Sequence, residues 1–192
     1  YIHMVDLEGA KDGTTPNLHI VRQVAQETNL FVEIGGGIRS METVDAYFSA
    51  GVDRIILGTA AVNDPEFLHR AVAKYGEKIA VGADVKDGYI AIKGWLEKSQ
   101  VTLEDFLAKM EAIGVRNIIC TDISKDGAME GANHNLYKQL SDTVSMDIIA
   151  SGGVSSMADV LCLADMHIHG AIIGKAYYTG AIDLTAAVEA AK

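Results

Sequence analysis

The sequence predicts an α/β fold: a (β/α)8 barrel made of two similar halves, present here as about seven βα units. Three observations predict it. Apolar strand-like runs alternate with longer amphipathic stretches, the runs are largely apolar rather than alternating, and the pattern recurs at a fixed shift of 116 residues. Runs such as Arg54-Ile55-Ile56-Leu57 and Asn117-Ile118-Ile119-Cys120 suit strands buried on both faces. Strand followed by helix along the whole chain means a parallel sheet.

Strands are expected near 1–5, 30–34, 53–57, 78–83, 116–121, 146–150 and 169–173. Helices are expected near 16–28, 40–50, 64–75, 102–113, 134–143, 155–165 and 182–191. Asn63-Asp64-Pro65 puts proline in a first helical turn, where its missing N–H costs nothing, and Thr102-Leu103-Glu104-Asp105 is close to a capping box. Asp87-Gly88, followed by an alternating run to Trp95, reads as a small hairpin inserted after the fourth strand. Only two prolines occur and no low-complexity stretch marks a linker, so residues 1–192 read as one barrel domain.

At the shift of 116, Gly36-Gly37 falls on Gly152-Gly153, Ser40-Met41 on Ser156-Met157 and Val44 on Val160. Gly58 falls on Gly174, Ala60 on Ala176, and Ile2, Asp6 and Leu7 on Ile118, Asp122 and Ile123. A doubly wound sheet has a single switch-point crevice and no reason for this symmetry, whereas a barrel of two halves has one. The fourth strand, Ile79 to Asp84, finds its partner position upstream of Tyr1. Seven strands do not close an eight-stranded barrel, and the chain opens without Met. One N-terminal βα unit is therefore expected to be missing, an expectation that eight barrel strands from these residues would overturn.

Hydrophobic residues make up 49% and charged residues 22%, with a net charge of −10 and a pI near 4.9. An acidic chain is a poor match for nucleic acid, and any phosphate must be gripped locally against a repelling field. Cys120 and Cys162 form no C-x-x-C pair, which suits a reduced, cytoplasmic chain. No apolar run approaches the ~18 residues of a membrane span, and no signal-peptide pattern is present.

Gly35-Gly36-Gly37-Ile38-Arg39-Ser40 follows a strand and opens a helix, a place where backbone N–H groups meet an anion. Gly58-Thr59 ends the next strand, and Ser151-Gly152-Gly153 with Gly174-Lys175 repeats the arrangement. Each half brings one cation, Arg39 or Lys175. Two phosphate grips at one barrel mouth imply a substrate phosphorylated at both ends.

His3-Met4-Val5-Asp6-Leu7-Glu8-Gly9-Ala10, Glu33 to Ser40 and Gly58-Thr59-Ala60-Ala61 resemble strands two to four of the HisA isomerase family of histidine biosynthesis. Asp84-Val85-Lys86-Asp87-Gly88 with Lys93-Gly94-Trp95 resembles its fifth strand and following loop. Thr121 to Gly127, Ala150 to Gly153 and Ile173 to Ala176 resemble strands six to eight. The resemblance covers the chain in order. It implies an Amadori rearrangement of the aminoaldose ProFAR to the aminoketose PRFAR, by a parent that is monomeric and needs neither cofactor nor metal. The related cyclase HisF and a catalytically silent bisphosphate binder are the alternatives; Lys93-Gly94-Trp95 and Thr121-Asp122-Ile123 favour the isomerase.

Ring opening and proton transfer from C2 require one acid and one base. By the resemblance, Asp84 is the family's proton donor, and its proton acceptor lies on strand one, outside this chain, so the fragment is expected to turn over little. Asp126 and Thr121 are expected at the same mouth, with Asp126 orienting substrate or relaying protons, and Gly127 beside it. Trp95 is expected on a loop, stacking on the imidazole carboxamide, and His3 at a strand end near substrate. His134, His167 and His169 lack metal-ligand spacing, Met146, Met157 and Met166 read as core fillers, and an open sheet edge is expected to favour self-association.

Overall fold

The computed structural model describes residues 1–92, 95 and 97–191, with the backbone alone at 97 and 98. The first half runs β1 (Ile2–Val5), α1 (Leu7–Asp12), α2 (Leu18–Glu27), β2 (Val32–Gly35), α3 (Met41–Ser49), β3 (Arg54–Leu57), α4 (Thr59–Asn63) and α5 (Pro65–Tyr75). Then come β4 (Ile79–Lys86), β5 (Tyr89–Ile92), β6 (Glu97–Thr102) and α6 (Leu103–Ile113). The second half follows with β7 (Asn117–Asp122), α7 (His134–Thr143), β8 (Asp147–Ser151), α8 (Met157–Asp165), β9 (Gly170–Ala171), α9 (Lys175–Tyr178) and α10 (Leu184–Ala190).

Seven of these strands pair in parallel in the order β1-β2-β3-β4-β7-β8-β9. Chain order equals spatial order, as in a (β/α) barrel; a doubly wound sheet would reverse direction at a switch point. Side chains alternate between the two faces along each strand. Val32, Ile34, Ile55, Leu57, Val81 and Ile118 join the large core beneath the helices. The alternate residues Ile56, Ala80, Ile119 and Ile149 form a second buried cluster, with Ile172 packed against it. Four strands sharing one small cluster on their other face describe a sheet curved around its own interior.

The predicted caps form. Asp64 accepts from Phe67 N at 2.9 Å with Pro65 starting α5, and Thr102 accepts from Asp105 N at 3.1 Å. The repeat is visible in the helix starts, since Ser40 caps α3 and Ser156 caps α8, followed in each case by a methionine. Asp87 and Gly88 have φ of 52° and 77°, with Lys86 paired to Tyr89, the two-residue hairpin turn with left-handed backbone at both positions. The hairpin grows directly out of β4, which runs to Lys86 rather than stopping near 83.

Three short helices, α1, α4 and α9, lie where strand ends and loops were expected. Each has six residues or fewer, too few to impose a helical period on the sequence. The last strand, expected over 169–173, is reduced to Gly170–Ala171. Among the described residues, no helix is long and apolar enough to cross a membrane.

Candidate active site

Asp84, Thr121 and Ser151 stand in register across β4, β7 and β8, two residues above Gly82, Ile119 and Ile149. Alternation puts all three on the inner face, at the C-terminal ends of their strands, where barrel enzymes carry their chemistry. The Thr121 hydroxyl and the indole N–H of Trp95 both donate to the Asp84 carboxylate, the latter at 2.9 Å. Burial pushes the Asp84 carboxyl up from the usual aspartate range; the two donors pull it back in part, and the charge of Asp126 adds to the rise. A carboxyl held toward its protonated form beside two donors is suited to giving a proton.

The glycine turns flank this group and are superimposable in their constraints. Gly36 and Gly152 have φ of 109° and 86°, and a Cβ would stand 2.3 Å from Asp6 O in one and 2.6 Å from Asp122 O in the other. No side chain fits there, so each turn lies directly on the end of the preceding strand. Gly58 and Gly174 cap α4 and α9 with nearly the same backbone, φ −96° and ψ −109° against φ −105° and ψ −99°. Short helices therefore begin at the strand ends, at positions that sequence reading placed in strand or loop.

A cavity of about 240 Å³ lies in the second half, lined by Asp126, Gly127, Gly152, Gly153, Gly174 and Lys175 among others. Lys175 Nζ donates to the Gly127 carbonyl at 2.8 Å across it. Arg39 makes the corresponding latch in the first half, donating to Ala10 O at 3.0 Å. Both cations are thus turned onto neighbouring backbone carbonyls in this structure, Arg39 onto α1 and Lys175 onto the turn after β7. Asp126 is exposed in the turn after β7 and receives no cap role, its N–H bonding Asp122 O at 3.1 Å.

One placement differs from expectation. His3 lies inside β1, paired with Glu33, rather than at the strand end. Its Nδ1 is 2.8 Å from Glu33 Oε1, a contact set by strand register. Trp95 sits between β5 and β6 with φ 71° and half its surface exposed, tied to Asp84; Lys93 and Gly94 lie outside the described residues.

Sequence reading missed the groups that hold the turns. Asn17 Nδ2 donates to Asp6 Oδ1 at 2.8 Å and Asn133 Nδ2 to Asp122 Oδ2 at 2.6 Å. These asparagines fall on each other at the same shift of 116, a signal that was present in the sequence. Burial opposes ionisation of Asp122, but donors from Ser124 and Asn133 outweigh it and hold the carboxyl below its usual range. Asp159 has no such echo, since Thr43 stands at its counterpart. It is buried and accepts from Ala132 N, the His134 ring, and the N–H groups and hydroxyls of Ser155 and Ser156. Despite burial, these donors bring Asp159 down to about 2. His134 thereby has a partner, and His169 faces Asp147 at 3.6 Å. Among the described residues no three His, Cys, Asp or Glu side chains group as metal ligands.

A larger cavity, about 530 Å³, lies by the N-terminal ends of β8 and β9, lined by residues including Lys138, Asp147, Cys162, His167 and His169. It holds none of the groups described at the mouth. The candidate groups Asp84, Thr121 and Ser151 lie toward the opposite ends of the strands.

The family model described as "Histidine biosynthesis protein" matches residues 1–183. A Clostridium botulinum (strain Okra) relative is 49% identical over 189 residues, covering 98% of this chain and 78% of its own length. One from Lactococcus lactis subsp. cremoris is 50% identical over 186 residues, covering 96% and 76%. A third, from Listeria welshimeri, is 49% identical over 189 residues, covering 98% and 79%. Each is named an imidazole-4-carboxamide isomerase, in a name that carries two phosphoribosyl groups. With its parallel strands in barrel order and relatives at about half identity, the chain belongs to the histidine biosynthesis protein family.

Proposed function

We propose that this chain carries the acid half and both phosphate grips of an aldose–ketose isomerase that converts ProFAR to PRFAR in histidine biosynthesis. One observation carries the reading: Asp84, raised by burial and held by Thr121 and Trp95, stands on the inner face between two repeat-related glycine turns. The two phosphoribosyl groups in the relatives' names supply the two anions that the turns call for.

Asp84 in its protonated form donates to the ribose ring oxygen, opening the ring, while a base removes the proton from C2 and the enolamine collapses to the ketose. Thr121 and Trp95 keep the carboxyl aimed at the mouth. Asp126 orients the substrate on the side of the cavity that Gly152, Gly153, Gly174 and Lys175 line. The substrate displaces the Arg39 and Lys175 latches, turning each cation onto a phosphate. The base is an aspartate on a further βα unit that closes the sheet between β1 and β9, which stand at the two ends of the strand order. The substrate is a small molecule and the enzyme a cytoplasmic monomer; without the further unit, its open edges favour self-association.

ProFAR conversion by the full-length protein, followed by separation of aldose and ketose, tests this. Conversion that disappears in residues 1–192 alone agrees with the reading. A full-length protein that leaves ProFAR unchanged, or that acts only with ammonia as a cyclase does, contradicts it.

A further inference from the structure

His3, Glu33 and Arg54 stand in register on β1, β2 and β3, below the strand ends, and none has a place in the chemistry described so far. Arg54 shares its face with Ile56, two residues on, so all three point toward the interior. Glu33 is buried at 5% exposure and lies between the other two. Its Oε1 meets His3 Nδ1 at 2.8 Å and its Oε2 accepts from Arg54 at 3.3 Å. Arg54 stacks over Phe31 with its guanidinium carbon 5.1 Å from the ring centre, and its buried Nε has no hydrogen-bond partner among the described residues.

We infer that Glu33 is a positioning residue for the isomerisation, fixing His3 as the Nδ1–H tautomer so that Nε2 presents a lone pair toward substrate. A carboxylate only accepts, and Arg54 only donates, so the hydrogen shared with His3 must come from the imidazole. Whichever nitrogen is held by a buried acceptor decides what the other offers, and here Nε2 belongs to a side chain still 26% exposed. The inference rests on the proposed isomerase reading for its kinetic part and on geometry alone for its tautomer part.

The substitution Glu33→Gln separates these. Glutamine has one accepting and one donating end. Arg54 claims the oxygen, so the amide NH2 turns to His3 and donates to Nδ1, moving the ring proton to Nε2. Nitrogen-15 spectra of the His3 imidazole in the full-length protein should show Nδ1–H in the wild type and Nε2–H in E33Q. With ProFAR, E33Q should lose about tenfold or more in kcat with KM changed much less, as expected for a group in the wrong tautomer rather than a lost binding contact. A wild-type spectrum showing Nε2–H overturns the inference without any variant, as does E33Q keeping Nδ1–H, or switching tautomer with kcat unchanged. A wild type with the Nδ1–H spectrum but no conversion of ProFAR overturns the isomerase reading and the kinetic part, while the tautomer part stands.

Discussion

The indole N–H of Trp95 lies 2.9 Å from Oδ2 of Asp84, joining a residue on the hairpin to the inner end of β4. This bond lowers the Asp84 carboxyl while burial raises it, and burial prevails. As the proposed acid, Asp84 would act in its protonated form, so activity is expected to fall as pH rises through its raised value. Trp95→Phe removes a lowering contact and keeps the ring. The alkaline limb of the kcat/KM profile should move to higher pH, and a limb that stays in place or moves down would count against Asp84 as the acid.

The same burial has a stability consequence. A carboxyl whose folded value lies above its unfolded one contributes stability below the unfolded value and loses it as pH rises through the folded one. Asp84→Asn should therefore melt higher than wild type near neutral pH, by a few degrees, with the gap closing on acidification toward pH 4. Turnover should fall by roughly 10²–10⁴. Calorimetry at several pH values alongside the assay reads both.

Asp159 has the opposite sign. Its folded value of about 2 lies below the ordinary 3.8, so its contribution is complete above the ordinary value and is lost as pH falls toward 2. Asp159→Asn should lose on the order of 2 kcal/mol at neutral pH by urea unfolding, and the deficit should narrow below about pH 4.

Gly127 and Gly152 both have left-handed backbone, φ 68° and 86°, but a Cβ at Gly127 meets nothing within 4 Å whereas one at Gly152 meets Asp122 O at 2.6 Å. Gly127→Ala should cost about 1 kcal/mol from backbone alone. Gly152→Ala should cost about 3 kcal/mol or more, because the turn must also lift off the strand. Equal costs by denaturant unfolding would mean that the close approach is not rigid.

Much of this is legible in the sequence. Gly36-Gly37 and Gly152-Gly153, Ser40 and Ser156, and Asp87-Gly88 are local signals, each demanding one backbone geometry whatever surrounds it. The His3–Glu33–Arg54 row was not legible, since it depends on the register of three strands, which no single run specifies. The direction of Arg39 and Lys175 was hidden for a similar reason: a cation near a glycine turn bonds whatever acceptor stands there, and here that is the carbonyl of Ala10 or Gly127. The short helices α1, α4 and α9 were invisible because one turn of helix carries no period.

The most direct test of the central claim is a crystal structure of the protein grown in inorganic phosphate, read at the two glycine turns. Two phosphates should be found on one mouth, one against the N–H groups of Gly37 and the start of α4, the other against those of Gly153 and the start of α9. Phosphate in the larger cavity beside Lys138 and His169, with both turns vacant, would contradict it.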